Sequence, residues 1–232
     1  MIWTVPPVWK DGSCFIVGGG PSMPYQFGVP EEVIKDVQTG KQPPSAYSDY
    51  LSPIHGKHVI AINNAFKIGD WFDCLFFGDC GWYNVYRIPV AAISYLKVTC
   101  CARFANKPEK ECAGIKYLDR DRNKTMGISD NPSKVSWNNN SGAAAISLAA
   151  HFGVKRIVLL GFDMNSSSSR VSHWFGSHHP NNKRPVIPPY ARHLKGFPMI
   201  AADAAKRGIE ILNCSNHSSI TEFPVVQLHE VL

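Results

Sequence analysis

Long apolar runs are missing from this chain of 232 residues. None approaches the roughly 20 residues that a membrane-spanning helix needs. The N-terminal MIWTVPPVWKDG has neither the basic and apolar regions nor the cleavage site of a secretory signal. Charge is also sparse: 18% charged against 44% hydrophobic and 11% aromatic excludes a disordered chain. Repeats, linkers and low-complexity tracts are absent, apart from the short run Ser166–Ser169. The seven cysteines include no C-x-x-C pair and are odd in number, which excludes a zinc ribbon or a full disulfide framework. Most lie in or beside apolar runs, so buried free thiols are expected. A single cytoplasmic domain over residues 1–232, long enough for a full core, is the expectation. Its formal charge of +6 suits an anionic ligand such as a nucleotide and would tolerate nucleic acid.

Short, almost continuously apolar runs recur, each closed by a polar or Gly-rich turn: Cys14–Val17, His58–Ile62, Cys74–Phe77, Lys97–Cys101, Gly114–Leu118, Arg156–Leu160 and Ile209–Leu212. Such runs are what strands covered on both faces look like. Helical stretches lie between them, at Glu31–Gln38, Trp82–Tyr95, Ser141–Phe152 and Phe197–Arg207, the last ending at the capping residue Gly208. The alternation predicts a single Rossmann-like α/β domain. Its mainly parallel sheet has about 6–7 strands, with helices on both faces. Residues 165–195, rich in serine, histidine, proline and cations but without a strand pattern, are expected to form a long lid-like loop.

Ligands of open parallel sheets bind beyond the carboxyl ends of the strands. The polar residues that close each run therefore form one candidate constellation: Gly18, Gly19, Gly20, Pro21 and Ser22; Asn63 and Asn64; Asp79; Asn140, Ser141 and Gly142; and Asp163. The glycines permit close backbone approach to a phosphate or serve only as a tight turn. This turn is neither G-x-G-x-x-G nor a Walker A loop. Ser141 is expected to cap a helix whose amide groups face an anion; the bland alternative is a cap with Gly142 easing packing. Asp79 and Asp163 are expected to hold Mg²⁺ or orient a ribose hydroxyl, or merely to cap turns. In HWFGSHH, His173, His178 and His179 are candidates for proton transfer or phosphate contact, with structural and metal roles as alternatives.

GGGPS after the first run, NNSGAAAISLAAHFGVKRIVLLGFDM and HWFGSHH together resemble the bacterial sialyltransferases that modify lipooligosaccharide, and also the pterin-pyrophosphokinase-like family. The chain as a whole is similar to small bacteriophage and prophage proteins. The resemblance spans most of residues 14–180 and implies that Gly18–Ser22, Ser141 and Gly142 hold the phosphate and ribose. It further implies that Asn63 holds the nucleotide and His178 is the general base, with His179 as fallback. Gly19 stands where the transferases have Asn, Ser177 shifts the spacing from His173, and the tyrosines that steady the transferases' leaving phosphate have no counterpart after Asp163, where Asn165–Ser169 and Arg170 stand instead. These departures favour nucleotide binding over sialyl transfer.

The leading reading is a nucleotide-dependent transferase, a glycosyltransferase using a nucleotide-activated sugar as substrate, with His178 as base and Arg170 beside the departing phosphate. Asp163 and His173 complete the catalytic candidates. No tightly bound cofactor is expected. The acceptor is open: a glycan, a small molecule or modified DNA. The runner-up is a diphosphokinase with Mg²⁺ held by Asp79 and Asp163. The third is a non-catalytic phage accessory or nucleic-acid-binding protein, using the basic loop Lys183–Lys195. An oligomer is compatible with each.

Overall fold

The structure, a computed structural model, describes residues 2–108, 111–165, 172–176 and 189–232. Its centre is a seven-stranded sheet: β1 (Ser13–Val17), β2 (His58–Ile62), β3 (Cys74–Phe77), β4 (Leu96–Thr99), β5 (Ile115–Tyr117), β8 (Arg156–Leu160) and β9 (Glu210–Asn213). The order is β5-β4-β3-β2-β1-β8-β9, and every pairing is parallel. The predicted strands are all present, with β4 ending at Thr99, before the cysteine pair. Two short strands form a separate parallel ladder, β6 (Asp119–Arg120) with β7 (Lys134–Val135).

Side chains alternate across the sheet with the strand period of two. Cys14, Ile16, Ile60, Ile62, Phe76, Ile157 and Leu159 face one layer, with α4 (Ser141–His151) and α6 (Phe197–Lys206). Phe15, Val17, Val59, Ala61, Leu75, Phe77, Val158 and Leu160 face the other. That layer holds α2 (Glu31–Gln38), a run of 3₁₀ turns at Pro44–Ile54 and α3 (Cys80–Ala92). α4 packs across β1, β2 and β3. Its Ala143, Ala144, Ala145 and Ala149 let its backbone lie close to the sheet, while Ile146 and Leu148 each contribute about 1.5–3 kcal/mol by burial. Two short helices, α1 (Met23–Gln26) and α5 (Tyr190–Leu194), lie near the carboxyl ends of the strands. Neither is long enough to show a periodic pattern in the sequence. Among the described residues no helix is long and apolar enough to cross a membrane.

The expectation of uniformly free thiols is corrected at one pair. Cys80, the first residue of α3, and Cys101, just beyond β4, form a disulfide with Cα atoms 5.4 Å apart. β3 and β4 are neighbours, so the residues following them meet. Cys14, Cys74, Cys100, Cys112 and Cys214 are buried free thiols, as expected. Burial pushes the Cys100 thiol up to about 11, and Cys214 up to about 12.

Candidate functional site

The strand order reverses between β1 and β8: the chain builds outward from β1 to β5, then returns to add β8 on the other side. That reversal opens a crevice at the carboxyl ends of β1 and β8, the usual ligand position in such sheets. Gly18–Ser22 leaves β1 at this point, and Gly161–Asp163 leaves β8 beside it.

The glycine turn is held from several sides. Gly18 N–H donates to Leu160 O at 2.8 Å and Gly20 N–H to Gly161 O at 2.8 Å. Trp174, fully buried, donates its Nε1–H to Gly18 O at 2.8 Å and its backbone N–H to Gly19 O at 3.1 Å. A Cβ on Gly18 would sit 2.8 Å from Gly161 O, and one on Gly20 would overlap Asp163 Oδ2 and lie 2.6 Å from Gly161 O. The glycines at 18 and 20 are therefore demanded by close packing against the β8 loop. Neither has a positive φ. With the Gly18 and Gly20 amides committed internally, Gly19 carries the amide of the turn that can meet a ligand.

Asp163 is buried at the floor of the crevice and accepts from Ser22 N–H at 3.2 Å and Ser22 Oγ–H at 2.9 Å. Burial raises its carboxyl above the usual range, against the opposing pull of the two Ser22 bonds. Met164, next in the chain, has φ 49°, a left-handed conformation that costs a non-glycine residue energy. Ser215 and Ser218 fasten the same loop: Phe162 N–H donates to Ser215 Oγ at 2.9 Å, and Ser218 Oγ–H donates to Phe162 O at 2.6 Å. Gln26 of α1 ties the crevice to β9 by donating to Cys214 O at 2.7 Å. Its Oε1 is buried without a partner among the described residues.

Asn63 ends β2 with φ 48°, a conformation asparagine tolerates better than most residues. Asn64, 1% exposed, accepts from Trp82 Nε1–H at 2.8 Å. Asn63 Oδ1 and Asn64 Nδ2 are both buried with no partner among the described residues. Such groups normally find one in water or a ligand.

The cap of α4 is Asn140 rather than Ser141: Asn140 Oδ1 accepts from Ala143 N–H at 2.7 Å. Ser141 instead accepts from Gly78 N–H at 3.2 Å, pinning the helix start to the end of β3. Gly142 is required by packing, since a Cβ there would lie 2.9 Å from the Phe162 ring. Arg120 lies over the Trp137 ring at 3.9 Å and donates to Gly78 O at 2.6 Å and Cys100 O at 3.1 Å, placing a cation beside this helix start. Neither Arg120 nor Trp137 stands out in the sequence.

Asp79 is the N-cap of α3, accepting from Gly81 N–H at 2.7 Å, and is exposed. It does not share a metal with Asp163. β3 and β8 are separated by β2 and β1, three strand spacings or about 14 Å, too far for two carboxylates to reach one ion. The Mg²⁺ pairing of Asp79 and Asp163 is thus corrected by strand order. Among the described residues no cluster of three or more His, Cys, Asp or Glu is placed to hold a metal.

His178, His179 and Arg170 lie outside the described residues, as does most of the expected lid at 165–195. His173 stacks on Phe175 with ring centroids 4.8 Å apart, and its Nδ1 lies 3.3 Å from Gly19 O, so it buttresses the glycine turn. α5 supplies two groups that sequence spacing hides. Tyr190 is close enough to Asp163 for that carboxylate, after burial, to raise its phenol above the ordinary value. His193 carries the carbonyl that accepts from Asn140 Nδ2 at 3.4 Å, and burial, then Arg192, lower its imidazole below the ordinary value. A neutral imidazole near physiological pH is a proton acceptor.

No family model matches the chain, and no curated protein matches it. Two solved structures are similar to it. One is the sialyltransferase CST-II in complex with trisaccharide acceptor and CMP (13% identity, TM-score 0.48); the other is a tyrosine-to-phenylalanine variant of that enzyme with CMP (12% identity, TM-score 0.50). Each alignment covers 93% of this chain and 86% of the other. At this identity the second likeness bears on the fold alone. It agrees with a single parallel α/β domain of sialyltransferase-like architecture.

Proposed function

We propose that the chain is a glycosyltransferase that uses a nucleotide-activated sugar, with CMP, the nucleotide bound by the similar structures, as the first nucleotide to test. The observation that carries this reading is the pair of buried, unpartnered amide atoms, Asn63 Oδ1 and Asn64 Nδ2, at the carboxyl end of β2. An acceptor and a donor at one strand end fit the edge of a nucleobase or the hydroxyls of a ribose. The start of α4 and the Gly19–Ser22 turn would face the phosphate, where helix amides favour negative charge. In the transfer, the acceptor oxygen forms a bond to the anomeric carbon. The sugar–phosphate bond breaks, and the phosphate leaves with the electron pair. The acceptor proton passes to a histidine, for which His193 is proposed because its segment meets Asn140 at the start of α4, while His178 and His179 are proposed from motif alone. Tyr190 would donate to the departing phosphate. The acceptor is proposed to be a glycan, and the cytoplasm the place of action. With Asp79 and Asp163 apart, nothing specific favours the diphosphokinase reading.

A thermal-shift screen against CMP, UDP, GDP and ATP, each with Mg²⁺ or EDTA, tests the reading. A nucleotide at a hundred times its dissociation constant should stabilise the fold by about 2.7 kcal/mol. A shift with CMP that survives EDTA is the expected result. No shift with any nucleotide would overturn it.

A further inference from the structure

A helix on the surface of a globular domain ordinarily shows its polar side to water. α3 does not. Val85 is 58% exposed and Ile88 76% exposed, and Pro89, Ala91 and Ala92 beside them are exposed as well. Val85, Ile88 and Ala92 recur at the spacing that lines one side of a helix, opposite the buried Val90. No acidic residue occurs in Cys80–Ala92. Asp79 is exposed at its N-cap, and the charges along the rest of the helix are cationic: Arg87 is exposed next to Ile88, Arg103 donates to Asn84 on the exposed side, and Lys67 lies 4.3 Å over the Tyr86 ring.

We propose that this side of α3 is a docking surface for an anionic lipid bilayer. The helix would lie in the headgroup region, with Val85 and Ile88 entering the acyl boundary and Arg87, Arg103 and Lys67 meeting lipid phosphates. Apolar residues within a cationic border, on a helix that cannot span the membrane, are the make-up of an interfacial element. A second copy of the chain fits less well. Two such surfaces brought face to face would set the cationic borders against each other, with only Asp79 at each N-cap to offset them.

The test is co-sedimentation of the full chain with vesicles of equimolar phosphatidylglycerol and phosphatidylcholine, or of phosphatidylcholine alone. The expected result is partition to the anionic vesicles that falls on the neutral ones and in high salt. Val85→Ser/Ile88→Ser and Arg87→Ala/Arg103→Ala should each weaken partition roughly tenfold or more, with thermal unfolding unchanged because these side chains are exposed. Equal partition by wild type and the Val85→Ser/Ile88→Ser variant would overturn the proposal, as would no partition at all. A wild-type dimer in sedimentation equilibrium that Val85→Ser/Ile88→Ser dissociates would assign the stripe to a second copy instead.

Discussion

The Ser22 hydroxyl donates to Asp163 Oδ2 at 2.9 Å, joining the glycine turn after β1 to the end of β8 across 141 residues of sequence. This bond and its amide companion only partly offset the cost of burying the carboxylate, so the folded-state pKa of Asp163 stands above the ordinary 3.8. A raised acid pKa contributes stability that is fully present below the unfolded value and is lost as pH rises through the folded value. Asp163→Asn keeps an acceptor for Ser22 and removes the charge. Its stability relative to wild type, from urea unfolding at a series of pH values, should improve as pH rises above 3.8. A difference that stays constant with pH would contradict this.

Gly20 has no room for a side chain. Gly20→Ala should destabilise by about 1–3 kcal/mol, the usual cost of overpacking, through collision with Asp163 and Gly161 O. Gly20→Val should cost more. The measurement is the urea midpoint at unchanged m-value; an unchanged midpoint would show that the β8 loop yields freely.

Asn63 and Asn64 should separate by phenotype. Asn64→Ala strands the buried Trp82 N–H and is expected to cost about 1–3 kcal/mol of stability. Asn63→Ala removes an acceptor that has no partner among the described residues, so its stability loss should be confined to the roughly 1–2 kcal/mol that alanine costs at φ 48°, while nucleotide binding weakens in calorimetry. Equal nucleotide affinity in wild type and Asn63→Ala would remove Asn63 from the site.

For His193 the expected loss is in turnover. His193→Ala should lower kcat by roughly two to four orders of magnitude with nucleotide affinity little changed. Because burial and Arg192 depress its pKa, the neutral, proton-accepting form persists below the ordinary 6.5. The acidic limb of the wild-type pH–rate profile should therefore fall below that value, and the variant should lack it. Full turnover in the variant would return the role to His178 or His179.

Reduction of Cys80–Cys101, which closes a loop with sequence separation 21, should cost about 3 kcal/mol. A reducing compartment would hold the pair as thiols and an oxidising one as the disulfide, so protein purified in reductant should gain this stability on oxidation. Urea unfolding with and without dithiothreitol, beside Cys80→Ser as a control insensitive to reductant, measures it.

The α/β architecture is legible in the order of residues, because each strand announces itself locally. Cys14–Val17, His58–Ile62, Cys74–Phe77 and Arg156–Leu160 are apolar, brief and closed by turn residues, and the parallel sheet buries both of their faces. The strand-end constellation is legible for the same reason: whatever closes such a run lies at the carboxyl edge. The capping residue of α4 differs from expectation by one position, since Asn140 and Ser141 are both good caps and only backbone geometry separates them.

What the sequence by itself determined is the set of local choices: where strands begin and stop, which helix is alanine-rich enough to lie flat on the sheet, and which turns need glycine. Tertiary structure decided which of these turns are neighbours. Runs buried on both faces look alike to one another, so nothing local says that β1 lies between β2 and β8, or that Asp79 and Asp163 stand three strands apart. The same order set Cys80 against Cys101. Hydrophobic pattern specifies that a face is buried, but the partner that covers it is chosen by packing over the whole chain.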